Sequence, residues 1–364
     1  MRQWIVYGMA AGFLTACGTE SENGNGGTNG DDSDASGVIT DDNETDGEEG
    51  MTVIAESLDS PWAMQQINDE WLITERDGGF ISIVNGEVTE QDLQLSDEVV
   101  QQGESGLLGF VLDPDFEDNQ IAYMYYTYES TDGLANKVVQ VSRDNDTWTE
   151  EEELIEGIPG AATHNGGRLA IHEGELYATT GDAEEPEWSQ DTENLAGNIL
   201  KMNLDGTLPD DMPFEDSYIW SYGHRNPQGL AWLDNGTMYS SEHGATALDE
   251  INLIEPGNNY GWPDYEGDET SNDTVAPVIH SGDDTWAPSG LAAHDDWLFM
   301  AGLRGEAVYQ FDTEAENLEE YIEDYGRIRD VLVMDNNLYF LTNNTDGRGT
   351  PDDTDDKLIE VEIE

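Results

Sequence analysis

One short pattern returns six times along this chain, and it limits the possible folds more than any other feature. Each copy is a run of alternating apolar and aromatic residues that leads into a turn of Gly, Asp or Asn. The copies span residues 71–78, 122–127 (before Asp132 and Gly133), 175–182, 237–244, 297–305 and 337–342 (before Asp346 and Gly347). Alternation of period two marks a half-buried strand. Copies spaced roughly 40 to 60 residues apart are the mark of propeller blades. The expected fold is therefore all-β, a six-bladed β-propeller. A two-layer β-sandwich is the alternative, but it does not predict six similar strand ends. Helical patterning is scarce, with room for a turn or two only in pieces such as 192–200. A propeller brings loops from every blade to one channel mouth, so residues far apart in sequence can form one site there.

The N-terminal stretch divides in two. Residues 1–16 hold one arginine and an apolar run too short to span a bilayer comfortably, then end in Leu14-Thr15-Ala16-Cys17. Small residues after an apolar run mark a processed export signal. Cys17, the only cysteine, suits a lipid-anchored first residue of the mature chain; a plain secretory signal is the alternative. The expectation is an exported, cell-surface protein that meets the membrane only through that anchor. Residues 17–50 are Gly, Asn, Ser, Asp and Glu with little apolar content. Such a segment cannot offset its ordering entropy, so it reads as a disordered acidic tether. Residues 51–364 are enough for one large catalytic domain with a sizeable core. No later run of some 18 apolar residues offers a membrane span.

Charge narrows the partners. The 81 Asp and Glu face only 12 Lys and Arg, for a formal net charge of -69 over 364 residues. Self-repulsion of this size destabilises a compact state in dilute buffer, whereas at molar salt the Debye length is only about 3 Å. The acidity reads as adaptation to a hypersaline medium. It also excludes nucleic acid and anionic membrane surfaces, which need a basic face. Against this background the retained arginines stand in motif-like strings: Arg76, Arg168, Arg225, Arg304, Arg327 and Arg329. An arginine supplies a permanent, planar, bidentate charge suited to carboxylates and developing oxyanions. The plainer reading is that each pairs a nearby acid.

Three regions carry chemistry. His164 opens His-Asn-Gly-Gly-Arg168, where glycines would let a ligand approach the backbone; a histidine there is a candidate general base. Asp182, at the end of the next strand, is placed to orient it. The loop Gly223-His-Arg-Asn-Pro-Gln-Gly229 collects polar side chains that are costly in a core, so it is expected to face a polar ligand. Arg225 in that loop suits an oxyanion, and Asn226 offers an amide. Finally, 241–245, 249–253 and 257–263 place acids and turn carbonyls at spacings that suit a hard cation such as Ca²⁺, although acids beside turns arise by chance in so acidic a chain.

Taken with Gly106-Leu-Leu-Gly109, Asp113-Pro-Asp-Phe116, Ala287-Pro-Ser-Gly-Leu291 and Gly326-Arg-Ile-Arg-Asp330, these strings resemble the glucose/sorbosone dehydrogenase family of soluble PQQ-dependent aldose sugar dehydrogenases. The resemblance covers about residues 51 to 362. It implies PQQ (pyrroloquinoline quinone) and Ca²⁺ in the mouth of a six-bladed propeller, an aldose as substrate, and an electron acceptor that the motifs do not identify. The implied reaction takes the C1 hydroxyl to the lactone: His164 removes the proton and hydride leaves C1 for the quinone. Asp182 orients His164, and Arg225 stands near the reactive carbonyl with Asn226 beside it. Arg304, Arg327 and Arg329 would face the tricarboxylate cofactor. Backbone oxygens of Gly244 and Ala245 would hold the Ca²⁺ shared with the cofactor, and Glu250 with the Tyr260 carbonyl a second, structural one.

Three departures stand out. Glu104 occupies a cofactor-binding position where family members carry glutamine, and a carboxylate there repels a trianion unless protonated, metal-bound or turned away. Arg304 stands where lysine is common, and Ala245 where proline is usual. Two other functions fit a six-bladed frame: a Ca²⁺-dependent lactonase-type hydrolase, or a non-catalytic propeller that binds a sugar or partner. The acidic loop 346–356 reads mainly as solvated surface.

Overall fold

The computed structural model describes residues 50–363. The export signal, Cys17 and all but the last residue of the tether lie outside the described residues. Six antiparallel sheets follow one another along the chain. In each, the first four-strand run is a simple up-and-down meander; blade 1, for example, is Pro61–Ile67, Glu70–Glu75, Phe80–Val84 and Glu87–Glu90. Blade 2 gains a fifth, parallel edge strand from Asp92–Gln94. Blade 6 is completed from the other end of the domain, where Met51–Ala55 pairs antiparallel with Leu358–Glu362. That pairing ties the two ends of the domain together and covers the outer side of Leu358–Glu362.

The first strands of blades 1 to 6 touch in sequence, and the first strand of blade 6 returns to that of blade 1. The ring is closed, and the fold is a six-bladed β-propeller. Its apolar core lies between the blades. Trp148 of blade 2 is fully buried, with Phe80 and Phe110 edge-on at 5.1 and 5.7 Å and Phe116 stacked at 5.8 Å. The channel, by contrast, is lined by polar side chains.

All six copies of the recurring pattern fall on one structural position, the second strand of a blade. These are Glu70–Glu75, Ile121–Ser130, Glu175–Thr179, Met238–Glu242, Trp297–Gly302 and Asn337–Thr342. Because first and second strands run antiparallel, the start of one and the end of the other meet at the same end of the propeller. The loops that matter are therefore those entering a first strand and those leaving a second. The piece at 192–200 differs from its expected helical turn: a short 3-10 helix forms just upstream at Pro186–Gln190, and Asn198–Asn203 is a strand. Ile199, Leu200 and Met202 are all fully buried in that strand, which pairs with Glu175–Thr179. Among the described residues no helix is long and apolar enough to cross a membrane.

Candidate active site

The mouth end holds a cleft of about 280 Å³ lined by Glu104, His164, Arg225, Asn226, His243, Gly244, Ala245, Asp249, Arg304, Arg327 and Arg348, among others. His164, Arg225, Asn226 and Arg327 lie on loops entering first strands; His243, Gly244, Ala245 and Arg304 lie on loops leaving second strands. A larger groove of about 440 Å³ between blades 1 and 2 offers less chemistry. It holds no histidine, and its Arg143 is tied to Glu70 through two bonds of 2.7 and 2.6 Å.

His164 and Asp182 form a dyad. Nδ1 of His164 lies 2.7 Å from Oδ1 of Asp182, whose side chain is fully buried. Asp182 is itself fixed, accepting Nε1–H of Trp262 at 2.9 Å and the Glu184 amide at 2.9 Å. With Nδ1 committed, Nε2 is the nitrogen left for the cleft. His164 sits at φ +59°, a left-handed value that a side chain rarely adopts. The glycines beside it make that turn possible, but not by admitting a ligand as expected from the sequence. A Cβ on Gly166 would lie 2.6 Å from the Thr179 carbonyl, and one on Gly181 would lie 2.0 Å from that of His164. They let two backbones lie against each other.

Arg225 is held by its backbone and left open at its head. Its amide donates to Glu242 at 2.6 Å; Glu242 also bonds His224, whose other nitrogen meets Ser221. His224 is thus satisfied inside the protein, as is Gln228, which accepts from Arg329 and contacts His243. The polar loop 223–229 therefore does not face a ligand as a whole; Arg225 and Asn226 reach the cleft. The Arg225 guanidinium makes one long bond, 3.4 Å to the His243 carbonyl, and lies 5.3 Å from the Trp262 ring. Its Nε is buried with no partner. Asn226 accepts the Gly166 amide at 3.0 Å, leaving its amide nitrogen for the cleft.

The remaining arginines separate. The Arg304 side chain is exposed and makes no hydrogen bond or ion pair among the described residues. Arg327 borders the cleft, yet Nε and Nη2 bind Asp346 (3.2 and 2.7 Å) and Nη1 donates to the Leu303 carbonyl. Arg329 does not line the cleft. It is buried below, donating to Gln228 and Asn343 at 3.1 Å each, and burial lowers its pKa to about 9. Arg168 pairs with Asp330 at 3.0 Å, and Arg76 donates to the Asp346 carbonyl.

Glu104 is neither protonated nor turned away. Oε1 meets Arg348 Nη1 at 2.7 Å, and Oε2 accepts the His164 amide at 3.2 Å. Burial opposes its charge, but His243, Arg348 and the amide outweigh burial and hold the carboxyl at about 2. Burial pushes His243 down to about 4, so near neutral pH the Arg348 charge carries the effect. Arg348 is a cleft residue that the motifs do not mark, whereas His243 lies in the 241–245 string that they do. Arg348 sits inside an acid run, yet in a chain so short of cations its retention was itself the signal. The loop 346–356 is also less solvated than expected: Asp346 holds Arg327, and fully buried Asp356 accepts bonds from Thr342, Asn344 and Thr345.

Around the expected cation positions, Asp249 clips the loop together. Oδ1 accepts the Gly244 amide, while Oδ2 accepts Thr285 Oγ1 and the amides of Trp286 and Ala287. The Ala245 amide goes to Glu266 at 3.2 Å. Glu250 is buried beside Glu242, and desolvation, followed by that neighbouring charge, raises its pKa to about 8. Among the described residues no group of three or more His, Cys, Asp or Glu side chains is arranged to hold a metal; a cation here would lean on backbone oxygens.

Comparison with known proteins agrees with this geometry. A family model described as glucose/sorbosone dehydrogenase matches residues 58–351. The chain is 32% identical over 339 residues to the aldose sugar dehydrogenase YliI of Escherichia coli, covering 82% of this chain and 91% of that protein. It is 36% identical over 251 residues to quinoprotein glucose dehydrogenase B of Acinetobacter calcoaceticus, covering 59% and 52% of the two chains. Among solved structures, the PQQ-bound aldose sugar dehydrogenase of Streptomyces coelicolor superposes with a TM-score of 0.81 at 35% identity, over 86% of this chain and 98% of that one. With the family match spanning most of the propeller and the dyad and open arginines meeting in its mouth, the chain belongs to the glucose/sorbosone dehydrogenase family.

Proposed function

We propose that this protein is a PQQ-dependent aldose dehydrogenase that oxidises the C1 hydroxyl of a sugar to the lactone. One observation carries the reading: a histidine–aspartate dyad opens onto the same cleft as two guanidinium groups with donors to spare. The buried, partnerless Nε of Arg225 and the unpaired Arg304 fit an anionic ligand, since an unsatisfied buried donor costs about 1–3 kcal/mol. When bound, the quinone supplies the two-electron oxidising capacity that no side chain has.

The chain's own residues do the rest. Lactone formation removes the hydroxyl proton and, from C1, a hydrogen with its bonding electrons. Asp182 accepts the Nδ1 proton of His164, which fixes the tautomer with a lone pair on Nε2, the base for the hydroxyl proton. Arg225 and Arg304 hold negative charge in the cleft, and the Asn226 amide orients the ligand. Arg327 and Arg329 act from below, through Asp346, Gln228 and Asn343.

Ca²⁺ belongs to the proposal at two places: the carbonyls of Gly244 and Ala245, and Glu250 with the Tyr260 carbonyl. The donor set supports this. The loop's amides are taken by Asp249 and Glu266, while the carbonyls of Gly244, Ala245 and Tyr260 accept no hydrogen bond among the described residues. Hard oxygen donors of this kind suit Ca²⁺. Export, lipid anchoring at Cys17 and adaptation to high salt complete the proposal, supported by the leader and the net charge of -69.

Reconstitution tests the core claim. Protein refolded in molar salt with PQQ and Ca²⁺ should reduce an artificial dye when offered aldoses, with both additions required. Hydrolysis of lactones without PQQ, and no dye reduction, would place the chain with hydrolases instead.

A further inference from the structure

Two carboxylates line the cleft, and they are treated differently. Asp249 is caged by three backbone amides and the Thr285 hydroxyl. Glu104 has one amide, that of His164, and one cation, Arg348, from 244 residues away in the chain. The Arg348 backbone is fixed: its amide donates to Asp346 Oδ1 at 2.8 Å, and a Cβ on neighbouring Gly349 would lie 2.5 Å from the Asn344 carbonyl. Its side chain, though, is 55% exposed and touches Glu104 through one nitrogen. An exposed, single-point ion pair adds little to stability, so stability does not explain why a chain with so few cations keeps this one. Its electrostatic role does: without Arg348, the Glu104 carboxylate loses its one ion pair and leaves more negative charge facing the cleft.

We propose that Arg348 is a specificity-determining counter-charge, cancelling Glu104 so that the cleft admits a carboxylate-bearing ligand. Through Glu104 it also positions the His164 amide, which makes it a positioning residue for the base. The inference rests on the PQQ reading above and adds to it a requirement on an ion pair within the cleft.

A double-mutant cycle tests it. Calcium-loaded apoprotein is titrated with PQQ, following cofactor absorbance, for wild type, R348M, R348K, E104Q and E104Q/R348M, at low and at molar salt. R348M should weaken binding about ten-fold, as expected for a partly desolvated charge left unpaired, with a smaller loss at molar salt. R348K should lose less. Adding E104Q to R348M should restore binding to within about three-fold of wild type, because the two changes are coupled. A double variant as weak as R348M would overturn the inference, since Arg348 would then act on the ligand directly. So would an R348M that binds like wild type. Should R348M not fold, R348K and the double variant decide by the same criterion. Wild type that takes up no PQQ overturns the dehydrogenase reading and this inference together; wild type that binds while the cycle is flat overturns this one alone.

Discussion

The channel and the cleft above it use the same residue type to opposite ends. In the channel and at the cleft's lower edge, arginines face compensation: Arg168 with Asp330 at 3.0 Å, Arg327 with Asp346 at 2.7 Å, and Arg329 with two amide oxygens at 3.1 Å. The ring of Trp62 lies 4.4 Å from Arg168 and 5.9 Å from Arg329, adding cation–π contact. In the cleft, Arg225 has one long bond to a carbonyl and Arg304 has none. The difference teaches that in a cation-poor chain burial does not mark the arginines left for a ligand; a guanidinium that faces the cleft with few partners does. The lysines make the same point from the periphery, since Lys137 and Lys201 each bridge two acids within 2.9 Å.

The comparison is broken most severely from below. Arg168→Met leaves Asp330 buried and unpaired, and removing one partner of a buried pair costs about 3–5 kcal/mol. A large fall in the urea midpoint is expected, with most of it recovered in Arg168→Met/Asp330→Asn. A single variant as stable as wild type would show that the channel pair is not structural. The next effect lies in the cleft. His164→Gln should lower turnover by about 10²–10⁴-fold, the usual contribution of a general base, with PQQ uptake and the urea midpoint unchanged. Full activity in that variant removes His164 from the role of base.

The smallest effect sharpens the comparison with a site outside both regions. Glu75 has no cation; burial first, then the charges of Asp59, Asp77 and Glu90, raise its pKa to about 7, against the amide of Asp59. The folded protein thus holds this proton more tightly than the unfolded chain, so stability falls as pH rises from about 4.5 to about 7 and the full penalty persists above. Glu75→Gln should raise stability above pH 7 by about 1 kcal/mol after solvent screening, and should have no effect near pH 4. Equal stabilisation at both values would show that charge is not the cause.

Much of this was legible along the chain. The six recurring strands correctly counted the blades, because a second strand alternates in any blade and its periodicity is written locally. His164 and Asp182 were found because each ends or opens a short, conspicuous string. What local pattern obscured was partnership. Arg329 reads like a ligand arginine, yet it bonds Gln228 and Asn343 beneath the cleft. The polar loop 223–229 reads as ligand-facing throughout, yet His224 is fully buried between Ser221 and Glu242. Glu104 looked like a misplaced charge until Arg348 was seen beside it.

The sequence by itself determined the strand period, the number of blades and the residue types available at the mouth, because side-chain alternation and turn chemistry act over a few neighbouring residues. The tertiary structure alone decided which guanidinium groups stay open to a ligand. Charge compensation depends on separation in space, and a closed ring places groups within 3 Å that lie 162 or 244 residues apart along the chain, as Arg168 and Asp330 or Glu104 and Arg348 do.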